Sequence, residues 1–461
     1  LIAATLIFLS APNTYFSKDL KVMYLAWQRI YHAFPFLKTR VIINLFIYSL
    51  STILSRGISF FVLPLIMHAI SPAQYGTLSL LIAFTTVMTA ILGLGLRQML
   101  SIEYFHATHE QRQNIIIDIV SIYTAIAIPV ILLLWYFRTS IIHFFFFDAV
   151  SPLQFLATLL TINSFFYLEL MYQLLQYEQA IKRLAFIQFA LAIFTAISTL
   201  ITVFYLQSGI TGIVWSQAIC YCIVTLVALH YIMHHHAPSF RYIPYEQIRY
   251  YLHYGFPFIP TIFANWLLST GDRWILGYFT TMHEVGIYAV ADLACQLFYA
   301  IILQSWAACY LPYIMQQYQQ NKDAILRIEQ KNQQIMWISM MIGAIVLTTG
   351  HPIAYLIGLK LLPSAYWQAV RYAWVLLMGQ LFLLGSYFAA AFIQYHKRIY
   401  FLAFALFVPA LFNVILNMVL VPKWSIMGCS IATLISYGIY FGITYWYNRK
   451  LLKQFIWVDK L

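Results

Sequence analysis

Charge is scarce in this sequence. Asp, Glu, Lys and Arg supply 9% of its 461 residues, against about 25% in a soluble domain. So few charges cannot cover a water-facing surface. Hydrophobic residues make up 62%, so the outward side chains must face lipid. Cysteine is scarce too. Cys220, Cys222, Cys295, Cys309 and Cys429 all fall in apolar stretches, which argues against a disulfide framework and against zinc. The sequence also lacks a glycine-rich phosphate loop and a paired-carboxylate motif at any outer connection. No catalytic centre and no cofactor is therefore expected.

What is abundant is apolar sequence in runs of membrane length. A membrane helix needs about 20 mostly apolar residues. Apolar runs between polar breaks predict twelve spans, at 42–69, 77–99, 114–136, 152–174, 184–206, 209–232, 254–279, 285–313, 334–357, 366–391, 399–421 and 425–447. The stretch 137–150 either extends the third span or lies at the interface. Aromatic residues, 18% of the chain, suit belts at both membrane surfaces. The expected class is an all-α polytopic membrane protein.

The net charge of +12 would suggest nucleic acid in a soluble protein. Its distribution gives a different explanation, and no nucleic acid partner is expected. Nineteen of the 26 Lys and Arg residues fall in the N-terminal segment, the even-numbered connections and the C-terminus. Only Arg138, Lys360, Arg371 and Lys423 fall on the opposite side, while Arg56, Arg97 and Arg273 lie inside spans. The positive-inside rule makes the richer side, with both termini, cytoplasmic. Residues 1–40 form an N-terminal extension in which 23–37 reads as an interfacial amphipathic helix. A first bundle covers 41–240, an amphipathic linker 241–253, a second bundle 254–448 and a tail 449–461. His230, His234, His235 and His236 cluster after the sixth span. No nearby Cys or carboxylate completes a metal set, so they read as a solvated loop.

The chain also repeats itself. Gln179, Lys182, Arg183, Phe186, Phe189, Ala190 and Leu191 match Gln394, Lys397, Arg398, Phe401, Phe404, Ala405 and Leu406 at an offset of 215 residues. Tyr75-Gly76 and Val285-Gly286 echo each other at 210. Each half has an even number of predicted spans, so the repeats run parallel about an axis along the membrane normal. Lys182 is expected to superpose on Lys397. Transporters place substrate between such halves and rock them for alternating access.

The stretches "ISPAQYGTLSLLIAF", "ILGLGLRQML" and "STGDRWILGYFTTMHEVGIYAVADL" resemble the bacterial oligosaccharide flippases, Wzx-type members of the polysaccharide transporter branch of the multidrug/oligosaccharidyl-lipid/polysaccharide exporters. The resemblance covers roughly residues 40–450. It implies two six-helix bundles around a central cavity in the bacterial cytoplasmic membrane. It also implies transfer of an undecaprenyl-diphosphate-linked oligosaccharide from the cytoplasmic to the outer leaflet. Expected partners are that lipid-linked oligosaccharide, membrane lipids, a coupling cation (proton or sodium) and a polysaccharide polymerase complex. A cation-coupled multidrug exporter of the same superfamily shares the plan but prefers carboxylates in its cavity. A polytopic glycosyltransferase or O-antigen polymerase usually needs a long outer loop, and the longest outer connection here is 137–151.

Charged residues inside a membrane are functional candidates by default. Arg56 lies near the middle of the first span. Its planar fork suits a diphosphate, and the other reading is a structural pair with a carboxylate. Asp272 and Arg273 are adjacent in the seventh span. Adjacent helical residues do not face each other, so each needs its own partner. Arg273 is a second phosphate candidate. Asp272 either anchors Arg56 or binds a coupling cation, and the other reading for both is a structural ion-pair network. Asp292 is a further cation or proton candidate, or a polar residue paired inside the bundle. Arg97 is a third substrate-binding candidate, although snorkelling from a helix end explains Arg97, Asp118 and Glu169 equally. Reporter fusions after Asn114, Lys182, Glu246, Asn332 and Lys397 are expected to report cytoplasm, and fusions at Pro72, Ser208 and Thr281 the outside. A reversal within this set would contradict the twelve-span order.

Overall fold

A computed structural model describes residues 58, 62–104, 107–235, 243–303, 306–320 and 325–458. All regular structure among the described residues is helical. The predicted helix 23–37 and Arg56 lie outside them. After a helical stretch at 62–69, the first half contains α1 (Pro72–Leu92), α2 (Leu96–Glu103), α3 (His109–Tyr136), α4 (Arg138–Phe146), α5 (Pro152–Tyr177), α6 (Ile181–Leu200) and α7 (Gly209–His235). The linker helix α8 (Tyr245–Gly255) follows. The second half contains α9 (Phe258–Thr270), α10 (Asp272–Phe279), α11 (Met282–Phe298), α12 (Leu311–Gln320), α13 (Ile325–Leu361), α14 (Trp367–Tyr395) and α15 (Ile399–Val458).

Local chemistry sets these boundaries. Ser71, Thr108 and Ser151 cap α1, α3 and α5, each with a Gln three residues on that reaches back to the cap. Each side chain thereby satisfies a backbone donor left free at a helix start. Leu94 and Gly95 adopt positive φ and break α1 from α2. Ser425, also at positive φ, kinks α15.

Among the described residues eight helices are long and apolar enough to cross a membrane, so the chain is a multi-pass membrane protein. The difference from twelve has local causes. The predicted seventh span is split at Gly271 into α9 and α10, too short singly to cross. The predicted eighth is divided among α11 and two π turns, Tyr299–Leu303 and Trp306–Tyr310. The predicted eleventh and twelfth both fall in α15, where Ser425, with non-helical φ of 49° and ψ of −127°, divides them into two helical segments. Most of the predicted first span is outside the described residues. The stretch 137–150 forms the separate helix α4.

The two halves repeat one packing order. In the first, α5 packs on α1, α3 and α7; in the second, α14 packs on α11, α13 and α15. The residue-level register is a correction. Gln179 and Lys397, each just before a helix, both adopt φ of 57°. Such left-handed turns are uncommon for residues other than glycine. The turns therefore pair at an offset of 218, and Lys397 matches Gln179 rather than Lys182. A slip of three residues is nearly one helical turn, so the Phe and Lys-Arg pattern survives it.

The halves meet most closely at α1 and α11. A Cβ on Gly76 would lie 2.1 Å from the Met282 carbonyl oxygen, and one on Gly286 only 1.8 Å from that of Pro72. Only glycine permits that approach. Both glycines lie near the helix ends that the charge distribution assigns to the outside. There the Tyr366 hydroxyl also donates to the Ile70 carbonyl at 3.0 Å. Deeper in, Trp266 Nε1 donates to the Ala83 carbonyl at 3.1 Å. At the other end, Gly95 and Gly255 make a second glycine contact, and α8 docks on the first half. Tyr250 donates to Glu103 at 2.6 Å, and that carboxylate holds the phenol pKa up to about 12. Gly286→Ala is expected to part α1 from α11. A cysteine placed at Ile82 should then label several-fold faster with an impermeant maleimide added outside. Unaltered labelling would contradict an outer seal at this contact.

Candidate functional site

Two lobes of one cavity lie behind this seal. The first-half lobe has a volume of about 920 Å³, and the second-half lobe about 760 Å³. Ile82 on α1 lines both, so the lobes meet at the interface of the halves. The first lobe reaches Ser101, Gln176 and Tyr177, at the end opposite the glycine seal.

Each lobe carries one ion pair. In the first, Arg97 on α2 contacts Glu169 on α5 at 2.9 Å, both side chains about one-third exposed. This corrects the snorkelling expectation. The break at Gly95 turns α2 so that Arg97 faces the cavity, where Glu169 meets it. In the second lobe, Arg273 on α10 contacts Asp292 on α11 at 2.6 Å, with side-chain exposures of 5% and 17%. Gln296, one turn along, donates to Asp292 at 3.1 Å.

Asp272 is used differently. It is buried and accepts hydrogen bonds from Tyr288 and, at 3.2 Å, from Thr433 on α15. Asp272 does not line either lobe. The adjacent residues thus found separate partners, as helical geometry requires. Asp118 is a second correction: it is fully buried, and Tyr251 of α8 donates to it at 3.0 Å. It is covered because the linker helix folds back over α3.

The rest of the lining mixes aliphatic side chains with amides, hydroxyls and tyrosines, and sequence reading passed over the amides. Gln188 and Gln217 line the first lobe; Asn265, Gln380 and Gln394 line the second. Glu329 was also missed. It is fully buried beside the π turns and accepts from Tyr318, from Asn332 at 3.0 Å, from Gln333 at 3.2 Å and from Asn448 at 2.9 Å. The available signal was an acid followed closely by two amides at the start of an apolar run.

The fold is that of the multidrug/oligosaccharidyl-lipid/polysaccharide exporters. An inward-facing multidrug resistance MATE family transporter of the MOP superfamily aligns with TM-score 0.68 and 12% identity, over 90% of this chain and 99% of its own. Lipid II flippase MurJ in an inward closed conformation aligns with TM-score 0.69 and 14% identity, over 87% and 86%. A MOP superfamily transporter from Pyrococcus furiosus, described as having a binding pocket of reversed polarity, aligns with TM-score 0.62 and 12% identity, over 89% and 95%. No curated protein sequence matches. The polysaccharide biosynthesis protein family model matches residues 41–318. The chain belongs to that family.

Removing one partner of a buried ion pair strands the other. Arg273→Ala should therefore cost up to about 3–5 kcal/mol, read as thermal unfolding in detergent. Arg273→Ala combined with Asp292→Ala should recover most of that loss. Equal destabilisation by the single and double variants would contradict the pairing.

Proposed function

We propose that the protein is a flippase. It moves an undecaprenyl-diphosphate-linked oligosaccharide from the cytoplasmic to the outer leaflet of the bacterial cytoplasmic membrane, for surface polysaccharide assembly. Both termini are cytoplasmic in this reading. The observation that carries it is the pair of adjoining cavity lobes, one in each half, behind the contact of Gly76 with Gly286. Among the described lining residues, aliphatic side chains alternate with amides and tyrosines, and each carboxylate is paired with an arginine. Family membership supports the same reading. Opening the glycine seal while closing the opposite end exposes the cavity to the outer leaflet, the alternating access common to such repeats. No bond is made or broken in this cycle. A polysaccharide polymerase is the partner that would consume the product.

Charge exchange supplies the coupling in this proposal. Arg56 holds the diphosphate through its bidentate fork. Arg273 joins it only when Asp292 lets go. A proton or sodium ion on Asp292 frees Arg273 for phosphate, and phosphate on Arg273 frees Asp292 for the cation. The two ligands are linked because they compete for members of one pair. Asp272, buried away from both lobes, ties the start of α10 to Tyr288 of α11 and Thr433 of α15 beside the exchanging pair. A multidrug exporter would use Glu169 and Asp292 for cationic drugs; the arginine already seated on each carboxylate opposes that use.

Deletion of the gene is expected to abolish surface glycan and to leave lipid-linked oligosaccharide in the cytoplasmic leaflet. Arg56→Ala should fail to complement at normal protein levels, since a lost charge-assisted bond of about 1.5–3 kcal/mol weakens binding about 10–100-fold. Arg56→Lys should rescue partly, because it keeps charge but loses the fork. Full export by Arg56→Ala would reject its role. Asp292→Asn should remove the dependence of transport on the proton or sodium gradient. A gradient dependence unaltered by that change would reject the exchange.

A further inference from the structure

We infer that the glycan carried through this cavity is electrically neutral, and that the two ion pairs select against acidic sugars. The inference rests on the flippase reading and adds the chemical class of the glycan. Its basis is the charge balance of the lining. Among the described residues, the charged side chains lining the two lobes are Arg97, Glu169, Arg273 and Asp292. Each arginine already holds an acid of its own half, at 2.9 Å and 2.6 Å. Among the described residues neither lobe offers a cation without a carboxylate beside it, and in the flippase reading Arg56 is taken by the diphosphate.

A hexuronate entering such a lobe has two outcomes, both unfavourable. It can take an arginine from its acid, which leaves Glu169 or Asp292 partly buried and uncompensated. Otherwise it lies beside a paired carboxylate of like charge, which opposes binding. A neutral sugar meets neither difficulty. Its hydroxyls both donate and accept, as do the side-chain amides of the lining. Gln217, Asn265 and Gln394 are among the amides that line the lobes. Tyr299, Tyr387 and Tyr440 line the second lobe, and the apolar C–H faces of pyranose rings pack on aromatic surfaces of this kind.

The test uses the full chain purified into nanodiscs and two synthetic undecaprenyl-diphosphate tetrasaccharides. They are identical except that one hexose in the first is a hexuronic acid in the second. Undecaprenyl diphosphate without sugars is the third probe. The neutral glycolipid is expected to bind at least about tenfold more tightly than the acidic one. Glu169→Gln releases Arg97 and should narrow that preference by about tenfold. Asp292→Asn makes the same test in the other lobe should the first variant fold poorly. Equal or tighter binding of the acidic glycolipid overturns the inference while leaving the flippase reading intact. A preference that neither variant alters overturns its assignment to the ion pairs. Absence of binding by all three probes overturns the flippase reading, and the inference with it.

Discussion

A charge placed in an apolar bundle must find a counter-charge, and this requirement organises the interior of the protein. Arg97 takes Glu169, Arg273 takes Asp292, and Asp272 takes the hydroxyls of Tyr288 and Thr433. The partners lie on different helices in each case. The pairs therefore fix α2 against α5, and α10 against α11 and α15. Among the described residues they also leave each lobe with balanced charge. A balanced lobe has no fixed preference for an anion or a cation until one partner is displaced. Displacement is what a transport cycle can couple to a second ligand.

Close backbone approach is the second constraint. The glycine pair between α1 and α11 closes the end assigned to the outside, and the pair at Gly95 and Gly255 joins the halves at the other end. Around the outer contact one buried apolar cluster runs from Tyr75, Leu78 and Phe84 of the first half into Val285, Ile287, Tyr288 and Tyr366 of the second. Parting the halves there must open part of that cluster, and the backbone contacts add dispersion and dipole attraction at short range.

Much of this was legible in the sequence. Apolar run length and the Lys and Arg asymmetry identified a multi-pass helical protein. The glycine echo at Gly76 and Gly286 was legible as part of the repeat, but that the two glycines touch needed the fold. The repeat at Lys182 was found but misregistered by three residues, because helical periodicity makes neighbouring registers look alike. Arg273 and Asp292 were singled out separately; their pairing needed the fold, since they stand nineteen positions apart on two helices joined by a turn. Asp118 was misread as peripheral, and Arg97 was left between a cavity role and snorkelling, because distance from a span end says nothing about facing. The lining amides and Glu329 escaped because a glutamine in an apolar helix gives no local sign of whether it faces a cavity.

Reconstitution tests the central claim most directly. Proteoliposomes would carry the purified chain with a fluorescent undecaprenyl-diphosphate oligosaccharide in both leaflets. A membrane-impermeant reagent added outside would quench the exposed lipid. The account predicts that protein-containing vesicles lose nearly all fluorescence as inner-leaflet lipid crosses, while protein-free vesicles retain about the half that their geometry protects. Retention of that inner-leaflet fraction in the presence of folded protein, with and without proton or sodium gradients, would contradict it.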